Sequence, residues 1–119
     1  MVSPGTALRG EVWGCVLPSP IGAHPVLVLT VNRIAEPLST VTIAVVTGTS
    51  GPAATHIPID PECGVTKYDE FYVNCTDLHT VDKSRLRKRL GLLDPAEMRQ
   101  VEDRVRVILG LSQYSSRRS

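Results

Sequence analysis

Apolar and polar residues alternate early in the chain, merge into continuous apolar runs in the middle, and take up helical spacing near the end. From Arg9 to Leu17, one face carries Val12, Gly14 and Val16 and the other Glu11, Trp13, Cys15 and Leu17. That two-residue period predicts a strand. Pro18-Ser19-Pro20-Ile21-Gly22-Ala23-His24-Pro25 follows. Its prolines withdraw ladder donors, so the segment predicts a loop with His24 just ahead of the next strand. The branched run Val26–Val31 predicts a strand buried on both faces, and Thr40–Val46 another. Polar residues from Asn32 to Ser39 and small ones from Thr47 to Ala54 predict loops. Thr55–Asp60 reads as a short strand, and Pro58 sends it to a sheet edge. Asp69–Cys75 alternates again through Phe71, Val73 and Cys75.

The period changes in the last third. Asp94-Pro95-Ala96-Glu97 combines an Asx cap, a proline at the first helical position and a glutamate three residues past the cap. Leu93 and Met98 stand where a hydrophobic staple belongs. Met98, Val101, Val105, Ile108 and Leu109 recur at helical spacing, and Gly110 supplies the stop. The expected fold is mostly β (α+β): five or six short strands curled into a small barrel under one amphipathic helix. At 119 residues this is one domain, with its core over about 8–111 and loose tails at 1–7 and 112–119.

Bulk properties narrow the function by exclusion. A net charge of +1 gives no global field for nucleic acid, so polyanion binding has to come from a local patch. The sequence shows neither an apolar run of membrane-spanning length nor a secretory pattern, and a cytoplasmic protein without membrane contact is expected. Three cysteines, Cys15, Cys63 and Cys75, make a poor disulfide framework and read as reduced thiols. A zinc site from Cys63, His56 and His79 is the weaker reading of the same residues. Glycine-rich phosphate loops, the Gly-x-Ser-x-Gly elbow and the His-Glu-x-x-His helix are all missing, and the acidic residues are scattered. No metal and no cofactor are expected.

Polar residues at strand ends remain as candidates, because a curled sheet can bring such ends to one rim. Four blocks of the chain then resemble a known family. Arg9-Gly10-Glu11-Val12-Trp13 is similar to the opening of MazF/PemK-type toxins, and His24-Pro25-Val26-Leu27-Val28-Leu29 to their Arg-Pro-Val-Leu-Val-Ile strand. Ile43–Ser50 resembles their apolar strand and its hydroxyl-bearing loop, and His79-Thr80-Val81-Asp82-Lys83 their Arg/His-Thr-Ile/Leu-Asp-Lys segment. The blocks keep the family order from about Arg9 to Leu111. The resemblance implies an SH3-like barrel with a C-terminal helix, usually a homodimer, neutralised by a cognate antitoxin. It implies cleavage of single-stranded RNA (mRNA) without a metal, by attack of the substrate's 2′-hydroxyl on the adjacent phosphate.

Two departures bear on the site. His24 replaces the family arginine, and Asn74 and Thr76 stand where some PemK-like relatives carry an arginine and an aspartate. Imidazole exchanges a proton near neutral pH whereas guanidinium does not, so His24 is the expected general acid or base. Thr47 is the expected phosphate donor, set against its bland reading as a turn-closing hydroxyl. Arg9, Ser50, Asn74, Thr76 and His79 are the expected substrate-binding residues, with Thr49 a lesser candidate and His56 structural. The basic run Lys83, Arg85, Arg87, Lys88 and Arg89 reads as a solvated face that can also steer an RNA backbone. Aromatics are too few for a broad stacking platform. A barrel that binds a protein such as DNA gyrase, as CcdB-type toxins do, is the alternative, and a catalytically dead interaction module is a third.

Overall fold

The computed structural model describes residues 7–60 and 70–111. Strand β1 (Glu11–Leu17) turns through Pro18–Ile21 into β2 (Gly22–Val28), and a one-turn helix α1 (Asn32–Ala35) leads to β3 (Thr40–Thr47). Then come β4 (His56–Ile59), β5 (Phe71–Asp82), a 3-10 turn over Lys83–Arg85, β6 (Leu86–Leu92) and helix α2 (Pro95–Ile108). The strands form one antiparallel sheet in the order β4-β5-β3-β2-β1-β6. This is the mostly β fold with a closing helix that the sequence predicts. Among the described residues the hydrogen-bonded ladder ends at β4 and at β6, so the sheet is curled but open.

Each face of the sheet buries its own core. One face packs Val12, Leu27, Ala44, Val46, Ile57, Ile59, Phe71 and Val73 with Leu93 and Val101 of the helical segment. The other gathers Trp13, Cys15, Leu17, Val26, Val28, Ile43, Val45, Val81 and Leu86, with Ala35 of α1. The alternation read in β1 is therefore the partition of Val12 from Trp13, Cys15 and Leu17 between two cores. Trp13 is fully buried, which is worth about 5 kcal/mol of apolar burial for a side chain of its size. Its indole Nε1–H donates to Glu11 Oε1 at 3.0 Å, so the ring's polar edge is also satisfied.

The signals at α2 operate as expected. Asp94 accepts from the Glu97 N–H at 2.8 Å while Glu97 accepts from the Asp94 N–H at 3.0 Å. Leu93 is buried and Met98 packs against the same cluster. Gly110 takes φ +67°, a left-handed conformation that ends the helix at low cost. Pro58 lies in β4, which is indeed an edge strand.

Two boundaries differ from expectation. The loop expected at 18–25 is only a tight turn, closed by the Ile21 N–H donating to the Pro18 carbonyl at 3.0 Å, and β2 starts at Gly22. Pro25 therefore sits inside an interior strand. Its missing N–H is tolerated because pairing with β3 begins one residue later, at Val26↔Val45. The strand expected to end at Cys75 runs on to Asp82, because Cys75, Thr76 and Asp77 bulge out between the pairs Val45↔Asn74 and Ala44↔Leu78. An odd number of extra residues reverses the phase, so Tyr72 and Asn74 share a face with His79 and Val81.

Candidate active site

The two principal candidates lie on neighbouring strands, His24 in β2 and Thr47 at the end of β3. Their register runs Val28↔Ile43, Leu27↔Ala44, Val26↔Val45. The hydrogen-bonded pairs end at Val26↔Val45; extended by two residues, the register would align His24 with Thr47 on the same face, at the end of the sheet where β3 gives way to the loop at 48–55. Residues so opposed in an antiparallel pair have Cα atoms about 5 Å apart. His24 lies within β2, not in a loop before it, which corrects the sequence-based placement. The shortened turn at 18–21 is the cause.

Both side chains are partly exposed. The His24 Nδ1 is 3.2 Å from the Pro25 carbonyl oxygen. A carbonyl only accepts, so in this contact Nδ1 is the donor. The Thr47 hydroxyl oxygen accepts from the Thr49 N–H at 3.1 Å, the turn-closing role of its bland reading. Accepting there leaves the hydroxyl proton able to donate elsewhere. The two readings of Thr47 are compatible.

Asn74 pairs with Val45 and so faces the same side, one step along β5 from the strand partner of Thr47. Its Oδ1 accepts from the Thr76 N–H at 3.1 Å and from the Thr76 hydroxyl at 2.7 Å. The amide nitrogen of Asn74 thereby keeps its donor role. Asn74 and Thr76 lie inside β5 and in its bulge, instead of at a strand end. Ser50 and Thr49 are exposed in the loop beyond Thr47.

Two candidates stand apart. Arg9 donates to the Leu29 carbonyl and pairs with Glu102 on α2. Leu29 is five residues past His24, or about 17 Å along a strand. Arg9 thus ties β2 to the helix at the opposite end of the sheet. His79 pairs with Ile43, four residues from Thr47 and about 13 Å along β3. Its Nε2 is held at 2.7 Å by Asp77 Oδ1 from the bulge. His56, in β4, faces Asn74 and is separated from His79 by the bulge, while Cys63 lies outside the described residues. Among the described residues no three of His, Cys, Asp and Glu converge as metal ligands.

Tyr72 and Gly51 escaped the sequence reading of this rim, and Arg85 entered it only as one member of the basic run. Tyr72 is the strand partner of Thr47 and half-buried. The signal was present in the chain, since the Phe71, Val73, Cys75 alternation implies that Tyr72 and Asn74 share the other face. Arg85 reaches the Val16 carbonyl at 3.1 Å, beside Cys15, the β1 partner of His24. Burial raises the pKa of the Cys15 thiol, and the charge of Arg85 opposes that rise. One guanidinium of the basic run is therefore close to the rim. Finally, Gly51 brings its backbone against His56, where an added Cβ would lie 2.5 Å from the imidazole.

Known proteins share this sequence pattern and fold. Residues 8–109 match the family described as the PemK-like, MazF-like toxin of type II toxin–antitoxin systems. The probable endoribonuclease MazF2 of Mycobacterium tuberculosis (strain CDC 1551 / Oshkosh) is 28% identical over 102 residues, covering 86% of this chain and 97% of its own length. A mycobacterial endoribonuclease solved in complex with its cognate antitoxin is 28% identical, with a TM-score of 0.79 over 92% of this chain and 100% of that one. The MazE–MazF structure (Form-II) from Deinococcus radiodurans, 18% identical, shares the fold with a TM-score of 0.73 over 89% of this chain and 97% of that one. Among the described residues no helix is long and apolar enough to cross a membrane. The chain belongs to the PemK-like, MazF-like toxins of type II toxin–antitoxin systems, and its relatives by sequence and fold are endoribonucleases.

Proposed function

We propose that this chain is the toxin of a toxin–antitoxin pair and cuts single-stranded RNA, mRNA included, without a metal, at the rim where His24 faces Thr47. The observation that supports the reading is the β2–β3 register from Val28↔Ile43 to Val26↔Val45, whose continuation by two residues would oppose the His24 imidazole and the Thr47 hydroxyl. A phosphodiester seated between them meets both groups that internal transesterification uses. The neutral His24 ring takes the proton of the substrate's 2′-hydroxyl as its oxygen attacks phosphorus. The 2′-O–P bond forms, the P–O5′ bond breaks, and the 5′ oxygen leaves with a proton from solvent. The Thr47 hydroxyl donates to a non-bridging oxygen as negative charge gathers there. Arg85 adds a fixed positive charge close by, and Asn74 adds an amide donor. The products are a 2′,3′-cyclic phosphate and a 5′-hydroxyl.

The complex of the mycobacterial relative with its antitoxin supports a cognate antitoxin for this chain, and the proposed toxin acts as a homodimer in the cytoplasm. Cleavage of a long single-stranded RNA in the presence of EDTA, with end-group analysis, tests the chemistry. Cyclic-phosphate ends are expected from the wild type, and none from His24→Ala. A fully active His24→Ala protein, or cleavage abolished by EDTA in the wild type, overturns the mechanism. In His24→Arg, the limb of the rate–pH profile that reports imidazole titration should vanish.

A further inference from the structure

We propose that Tyr72, backed by Pro58, is a nucleobase-stacking subsite next to the scissile phosphate. The inference rests on Thr47 as the phosphate-contacting residue and extends that reading to how the RNA is held. Single strands are gripped through base faces on aromatic rings as well as through phosphates. Of the described aromatics, Trp13 and Phe71 are both buried in the cores, and only Tyr72 offers its ring to solvent. It is also the aromatic placed for the task. Thr47↔Tyr72 and Pro58↔Tyr72 are direct pairs of their ladders. Threonine, tyrosine and proline therefore stand side by side on one face of β3, β5 and β4. Adjacent strands are about 4.8 Å apart, comparable to the reach from a backbone phosphate to the base of its own nucleotide. A phosphate at Thr47 thus leaves a neighbouring base over the phenol ring, with the exposed pyrrolidine of Pro58 extending the apolar shelf.

Local charge favours a base over backbone at this spot. The Tyr72 hydroxyl donates to the Glu70 carboxylate, which anchors the ring by its polar end. That hydrogen bond, with burial and the carboxylate's charge, also raises the phenol's pKa and keeps it neutral. A carboxylate beside the ring repels a phosphate but accepts from exocyclic amino groups. Asn74, on the same face, offers its amide N–H groups to base acceptors.

The test is equilibrium binding of dye-labelled 2′-O-methyl oligouridylate, oligocytidylate and oligoadenylate, which cannot be cut. Tyr72→Ala should bind about tenfold more weakly than the wild type, the scale of one lost stack, while Tyr72→Phe binds as the wild type does. Replacing one nucleotide of the probe by an abasic unit should weaken wild-type binding and leave Tyr72→Ala less affected. Undiminished binding by Tyr72→Ala, equal weakening in Tyr72→Phe, or no wild-type binding to any of the three probes overturns the subsite. Should Tyr72→Ala fail to fold, Tyr72→Leu keeps the bulk without the aromatic face and reads the same outcomes. RNA cleavage by His24→Ala tests the catalytic reading separately from binding at Tyr72.

Discussion

Glu11 is a buried carboxylate, 7% exposed, that holds three donors at the start of β1. Its Oε1 accepts from the Leu8 N–H at 2.8 Å and from the Trp13 indole at 3.0 Å, and its Oε2 accepts from Arg89 Nε at 2.7 Å. Glu11→Ala strands the indole N–H inside a sealed core, a loss of about 1–3 kcal/mol. The Leu8 N–H is partly buried and adds less. Arg89, 41% exposed, returns to water at little cost. A total near 3 kcal/mol follows, which lowers the melting temperature by about 10 °C or more. Glu11→Gln keeps an acceptor for Trp13 and Leu8 and loses only the pairing with half-exposed Arg89, about 1 kcal/mol. The pH dependence has a definite sign. Burial raises the Glu11 pKa, but the hydrogen bonds from Trp13, Arg89 and Leu8, with the charge of Arg89, outweigh it and leave the value lowered. A depressed carboxyl pKa contributes stability above the unfolded-state value and loses it as the pH falls through the folded-state value. The gap between wild type and Glu11→Gln should therefore close on acidification below about pH 4. Urea unfolding followed by the fluorescence of Trp13, the chain's one tryptophan, measures both effects. A Glu11→Ala midpoint equal to that of wild type, or a gap to Glu11→Gln that holds constant from neutral to acid pH, refutes the reasoning.

Thr47→Val should lower the RNA cleavage rate by about 100-fold, the scale for losing one transition-state donor, while Thr47→Ser keeps most of it; single-turnover kinetics make the comparison. Gly51→Ala drives a methyl group into the His56 ring and should cost about 1–3 kcal/mol by overpacking. His56→Ala should relieve most of that cost, so a double-mutant cycle in urea shows strong coupling. Asp94→Ala removes the side-chain half of the capping box and leaves the backbone N–H of residue 94 still donating to Glu97; it should cost about 1 kcal/mol, seen as a lower melting temperature with RNA cleavage intact.

Legibility followed the range of the interaction. The two faces of β1, the edge position of β4 and the N-terminus of α2 depend on neighbours a few residues away, and the chain displays each of them. The start of β2 was hidden because prolines mark breaks, and only the third dimension shows that Pro25 sits where the ladder to β3 has not yet begun. The length of β5 was hidden because alternation loses phase at Thr76 and Asp77, where three residues leave the ladder. Arg9 looked like a phosphate ligand by its place at the head of a strand, and nothing local announced Glu102 as its partner, 93 residues on. The alignment proposed for His24 and Thr47 is a matter of register, which no single segment encodes. Tyr72 was legible as a face but not as a neighbour.

His24 and Thr47 occupy β2 and β3, strands bonded on both sides, whereas Pro58 belongs to β4, which holds the sheet along one edge only. Mutational drift in that outermost strand, or in the loops that flank it, can widen or narrow the shelf beside Tyr72 while the groups that move the proton stay fixed. Such a division lets related proteins diverge in the sequences they recognise without rebuilding the chemistry.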